Sequence, residues 1–116
     1  MSIGKAAVYL VDDDCAVRDS LSVMLESYGI AVRPYASAKA FLADGNKARR
    51  GCLVLDLHMP AMSGLELLEI LREQGSQLPV IVFTGRDDGD LREMVKRGGA
   101  LAVFAKPWAA PKGCAR

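Results

Sequence analysis

The sequence lacks the features that mark most specialised classes of protein. No apolar run approaches the roughly 18 residues that span a bilayer, and the N-terminus has neither the basic start nor the long apolar stretch of a signal peptide. Neither sign of charge is in surplus. Fifteen Lys and Arg against 14 Asp and Glu leave +1, so neither nucleic acid nor an anionic membrane is indicated as a direct partner. Cysteine is scarce: Cys15, Cys52 and Cys114 form no C-x-x-C pair, and an odd number leaves one thiol over in any disulfide scheme. The single His58 cannot complete a zinc set at the usual spacing. These absences predict three ordinary thiols in a reducing compartment and a soluble, cytoplasmic chain.

What is present is an ordinary globular balance, 51% apolar and 25% charged over 116 residues, which excludes intrinsic disorder and predicts a single domain over 1–116. The mean hydropathy of +0.15 is high for a small monomer. There is no internal repeat and no low-complexity linker. Instead, short apolar runs alternate with segments of helical period. Ala6–Val11 is apolar throughout, as a strand covered on both faces should be. Val17, Leu21, Met24, Leu25 and Tyr28 then fall on one face of a helix that ends at Gly29. Ile30–Tyr35 is a weaker strand, interrupted by Arg33-Pro34 and therefore assigned to an edge. Ser37 caps a short helix presenting Ala38, Phe41 and Leu42, and the polar stretch Asp44–Gly51, with Lys47, Arg49 and Arg50, reads as a solvated loop. Cys52–Leu55, Val80–Phe83 and Leu101–Ala105 are further strands. Between them lie a helix capped by Ser63, with Gly64, Leu67, Leu68 and Leu71 on one face, and one started by Asp87 or Asp88, with Leu91, Met94 and Val95 inward. Strands alternating with helices imply right-handed crossovers and a five-stranded, mostly parallel α/β sheet.

In an open parallel sheet, ligands bind outside the carboxyl ends of the strands. The residues that follow or close the strands are Asp12 and Asp13, then Asp56, Thr84 and Lys106. Three carboxylates in contact repel, so they raise one another's pKa or recruit a cation, and a set of oxygens alone selects a hard ion such as Mg²⁺. A Lys suits a phosphoryl group as a mobile point charge, and a Thr hydroxyl can donate to another of its oxygens. The set describes phosphoryl transfer in which an Asp is itself the acceptor. Asp14 reads as a helix cap.

The motifs LVDDD (Leu10–Asp14), LVLDLHMPAMSG (Leu53–Gly64), VFTG (Val82–Gly85) and FAKP (Phe104–Pro107) together resemble the receiver domain of bacterial two-component response regulators, most closely receivers that sit ahead of a helix-turn-helix output domain. The resemblance spans almost the whole chain. It implies a CheY-like (flavodoxin-like) doubly wound sheet of strand order 2-1-3-4-5. It implies a phosphoacceptor switch rather than an enzyme, with Asp56 taking a phosphoryl group from the phosphohistidine of a sensor histidine kinase. It also implies Asp13 and Asp56 as direct Mg²⁺ ligands, Asp12 as a ligand through water and His58 as a ligand through its backbone carbonyl. Thr84 would follow the phosphoryl oxygens, Gly85 would leave the approach open, and Lys106 would pair with the phosphoryl group, oriented by a cis bond before Pro107.

Two departures from the family stand out. The Tyr or Phe usual three residues before the Lys is Val103 here, and Phe104, one place on, points to the opposite face of the strand. The last helix is expected to be missing, because Trp108–Arg116 is short and Pro111 and Gly113 break it, leaving 108–116 as a non-helical tail. A face left open in this way would be covered by pairing with a second copy, or by folding Trp108 and the tail over it. Three functions are therefore carried forward: a phosphoacceptor switch, a receiver fold used for protein contacts with phosphorylation weak or unused, and a Mg²⁺-dependent hydrolase with an Asp nucleophile. The third lacks a second acid two residues after the nucleophile, since that position is His58.

Overall fold

A computed structural model describes residues 6–44, 50–57, 59, 62–84 and 89–105. Among the described residues five strands, β1 (Ala7–Val11), β2 (Val32–Tyr35), β3 (Gly51–Asp56), β4 (Val80–Thr84) and β5 (Ala102–Ala105), alternate with four helices, α1 (Cys15–Ser27), α2 (Ala38–Ala43), α3 (Gly64–Glu73) and α4 (Gly89–Arg97). The strands form one sheet of order β2-β1-β3-β4-β5, and every pairing is parallel. This is the expected doubly wound order. Pro34, which has no N–H to give a ladder, lies in the edge strand opposite Leu10.

The handedness of crossovers places the helices. The chain steps from β1 to β2 in one direction and from β2 through β3 and β4 to β5 in the other, so right-handed connections put α1 on one face and α2, α3 and α4 on the opposite face. The three-helix face holds the main core, where Ala7, Tyr9, Val11, Leu53, Leu55, Val80, Val82 and Val103 meet Phe41, Leu67, Leu68, Leu71 and Val95. Phe41 anchors α2 there, edge-on to Tyr9 (ring centroids 6.1 Å apart) and to Tyr35 (5.3 Å). On the α1 face Leu10 and Val17 are buried, whereas Val8, Cys52, Val54, Ile81 and Phe83 are only half-buried.

The sequence signals at the helix ends act as expected. Asp14 Oδ1 accepts from the amides of Ala16 (2.9 Å) and Val17 (3.4 Å), and Ser37 Oγ accepts from that of Ala40 (3.0 Å). Ser63 and Glu66 exchange bonds of 3.2 and 3.1 Å in a capping box at α3. Past α1, Gly29 takes φ +80°, and the amides of Gly29 and Ile30 close on the carbonyls of Glu26 and Leu25.

Three expectations are corrected. Met94, expected to face inward, is 47% exposed, while Val95 alone of the described side chains on α4 is buried. An apolar residue beside the buried position of a short amphipathic helix rotates out by about 100° per residue and so leaves the core. The α1 stripe is likewise incomplete, with Val17 buried but Tyr28, just past the last residue of α1, 77% exposed. Cys15 is disulfide-bonded rather than a free thiol, and Cys52 is left as the free thiol of the two described cysteines. The expected start of α4 at Asp87 or Asp88, the cis bond before Pro107 and the tail 108–116 lie outside the described residues.

Candidate functional site

The sheet register assembles the site. Val11 pairs with Leu55, so the next residue of each strand path, Asp12 and Asp56, stand side by side at the carboxyl edge. Asp56 pairs in turn with Phe83, and Thr84 follows at the end of β4. Asp12, Asp56 and Thr84 are buried, and Asp13 is exposed beside them. One carboxylate oxygen from each of Asp12, Asp13 and Asp56 lies within 4.8 Å of the others. The structure thus brings together the three acids picked out as strand-end residues, with Thr84 on the neighbouring strand. His58 and Lys106 lie outside the described residues.

Local bonds hold Asp12 and the chain around Asp56 in place. The Asp12 amide donates to the Tyr35 carbonyl at 3.2 Å, and Asp12 Oδ1 accepts from the Asp14 amide at 2.9 Å. The loop between β1 and α1 is therefore pinned to β2 on one side and to the helix cap on the other. Asp56 closes β3 at 6% exposure, and the chain after it is tied down by the Leu57 amide on the Phe83 carbonyl (2.9 Å). The Gly64 amide reaches back to the Leu57 carbonyl (3.0 Å), which seats the start of α3 against the Asp56 backbone. A Cβ at Gly64 would stand 2.8 Å from the Asp56 carbonyl oxygen and 3.0 Å from Leu57 Cα, so only glycine allows this approach. Sequence reading placed Gly64 on a helix face but missed this backbone contact, because no local pattern encodes which strand end a helix start will touch.

Chemically the site is a cage of oxygens. Three carboxylates at this spacing, two of them buried, are costly to hold together in the absence of a cation, and they offer hard oxygen donors without nitrogen or thiolate. The donor set fits Mg²⁺.

Family comparison agrees with this geometry, since the model of the response regulator receiver domain matches residues 8–116. The chain belongs to the response regulator receiver domain family. It is similar to the response regulator protein TodT of Pseudomonas putida, with 40% identity over 108 residues, 93% of this chain and 48% of that protein. It is also similar to the transcriptional regulatory protein FixJ of Azorhizobium caulinodans, 46% identical over 101 residues, 87% of this chain and 48% of that protein. The receiver domain therefore spans about half the length of these relatives. Among solved structures, that titled FixJ-N superposes with a TM-score of 0.83 at 41% identity, covering 92% of this chain and 86% of that one. No helix among the receiver's described residues is long and apolar enough to cross a membrane.

Proposed function

We propose that this receiver domain is a phosphoacceptor switch in which Asp56 takes a phosphoryl group from the phosphohistidine of a sensor histidine kinase. The observation that carries this reading is the gathering of the Asp12, Asp13 and Asp56 carboxylates at the carboxyl edge of the sheet. A carboxylate oxygen of Asp56 forms the new O–P bond as the P–N bond of the phosphohistidine breaks, and the electron pair leaves with the imidazole nitrogen, which takes up a proton. Asp12, Asp13, Asp56 and the backbone carbonyl of His58 would hold Mg²⁺, which when bound neutralises charge on the phosphoryl oxygens. Thr84 and Lys106 are assigned to those same oxygens, the first as a hydroxyl donor and the second as a cation. Phosphorylation would then alter protein–protein contacts. Since FixJ is named a transcriptional regulatory protein, the output proposed here is transcriptional control through a further part of a longer regulator.

The test is intact mass after incubation with a small phosphodonor and Mg²⁺. One added phosphoryl group is expected on the wild-type chain and none on Asp56→Asn, and a variant that still gains the mass would refute the assignment.

A second reading, a receiver fold that makes contacts without using phosphorylation, is favoured by one specific feature. Position 103 is a valine buried in the three-helix core, and Phe104, 50% exposed, lies on the other face against Phe83 at 5.8 Å. A valine cannot make the inward swing of the aromatic ring usual at that place. Binding of a beryllofluoride phosphoryl mimic with Mg²⁺ separates the two, because only a competent phosphoacceptor takes it up.

A further inference from the structure

We infer that Arg18 is a positioning residue for the acid site, acting through the backbone of Asp12. This rests on the reading of the acid cluster as a Mg²⁺ and phosphoryl site. Arg18 lies on α1, half-buried, with its own amide on the Asp14 carbonyl at 3.0 Å. Its guanidinium Nη1 turns back along the helix and donates to the Asp12 carbonyl oxygen at 2.5 Å. That carbonyl is at the carboxyl edge, one residue beyond the last residue of β1. A full positive charge is thus spent on a neutral acceptor. The ion pair present among the described residues is elsewhere, between Arg97 and Glu93 on α4.

The reason lies in the peptide unit. The Asp12 carbonyl and the Asp13 amide belong to one rigid plane. Holding the oxygen fixes the direction in which the chain enters Asp13, and hence where the Asp13 carboxylate stands. Asp12 has other restraints, through the Tyr35 carbonyl and the Asp14 amide. No hydrogen bond or ion pair among the described residues restrains the exposed Asp13 side chain, so its placement depends on the two peptide planes that flank it, one held by Arg18 and the other by the Asp14 amide on Asp12 Oδ1. Outer partners of this kind orient the groups that touch a metal, and their removal typically costs 10- to 100-fold in affinity.

Charge and position predict opposite signs. A guanidinium near a cation site repels the cation, so if Arg18 mattered only as a charge its removal would tighten Mg²⁺ binding. As a positioning group, its removal loosens binding. Arg18→Met keeps the apolar stem and deletes the donor. The expected result is Mg²⁺ affinity weaker by roughly 10-fold in isothermal titration. In the metal-free protein, the Asp14 amide should exchange hydrogen faster while the Leu53 and Val82 amides keep their protection. Unchanged or tighter Mg²⁺ binding, or unchanged exchange at Asp14, would overturn the inference. Should Arg18→Met fail to fold, Arg18→Gln, too short to reach that carbonyl, is judged by the same two readouts. A wild-type chain that binds no Mg²⁺ at millimolar concentrations sinks the metal reading instead, and the exchange measurement then decides the role of Arg18 by itself.

Discussion

At the scale of single residues, position in the sheet decides what each side chain can do. Asp13 is the exposed member of the acid cluster and keeps access to water, whereas Asp12 and Asp56 are enclosed. Asp13→Asn should therefore leave the fold intact, weaken Mg²⁺ binding markedly in calorimetry and block phosphoryl uptake in the mass assay. Gly64→Ala places a methyl group against the Asp56 carbonyl, and backbone cannot move aside as a flexible side chain would. A loss of about 1–3 kcal/mol in urea unfolding is expected, with slower phosphoryl uptake because the start of α3 and the Asp56 backbone shift together. Cys52 gives a residue-scale dependence on pH. Burial raises its thiol pKa, so the folded state favours the protonated form. The associated stability is present below the ordinary thiol range, near 8.5, and is lost as pH rises through the raised value. Alkylation of Cys52 in the folded protein should accordingly be slower than that of an unstructured cysteine peptide at the same pH.

At the scale of elements, helix starts and strand ends are linked, because every helix start described here lies near the edge that carries the site. The Ser63–Glu66 capping box fixes the first turn of α3, whose Gly64 abuts Asp56. Ser63→Ala should cost about 1 kcal/mol in chemical denaturation. The short helix α2 depends on a single anchor. Phe41 is fully buried between Tyr9 and Tyr35, and Tyr35 in turn donates its hydroxyl to Asp44 just past the helix. Phe41→Ala should cost roughly 3–5 kcal/mol and raise hydrogen exchange in α2 well before the central strands are affected.

At the scale of the whole molecule, the two faces of the sheet are unequal. Val82 and Val54 lie on adjacent strands and carry the same side chain, yet Val82 is fully buried in the three-helix core while Val54, on the α1 face, is half-buried. Val82→Ala should cost roughly 2–3 kcal/mol in urea unfolding and Val54→Ala distinctly less, since less apolar surface leaves water when Val54 folds. Equal costs would mean that the α1 face is as well covered as the other.

The sequence by itself determined the alternation of strands and helices, the caps at Asp14, Ser37 and Ser63, and the acids at the strand ends. These are local properties: a run of β-branched residues, a side-chain oxygen before a helix, or a turn residue after a strand each acts within a few positions along the chain. Parallel order and the gathering of Asp12, Asp13 and Asp56 followed from those elements together with the handedness of crossovers and the motifs of the family. Tertiary structure alone decided which side chains are enclosed. Met94 and Tyr28 fit the apolar period of their helices but meet water, because the period says which residues share a stripe and not how much of it a neighbouring layer covers. The close approach of Gly64 to Asp56 and the reach of Arg18 to the Asp12 carbonyl are likewise absent from any local pattern. Each depends on where a helix lies over a strand end, a distance that only the packed sheet sets.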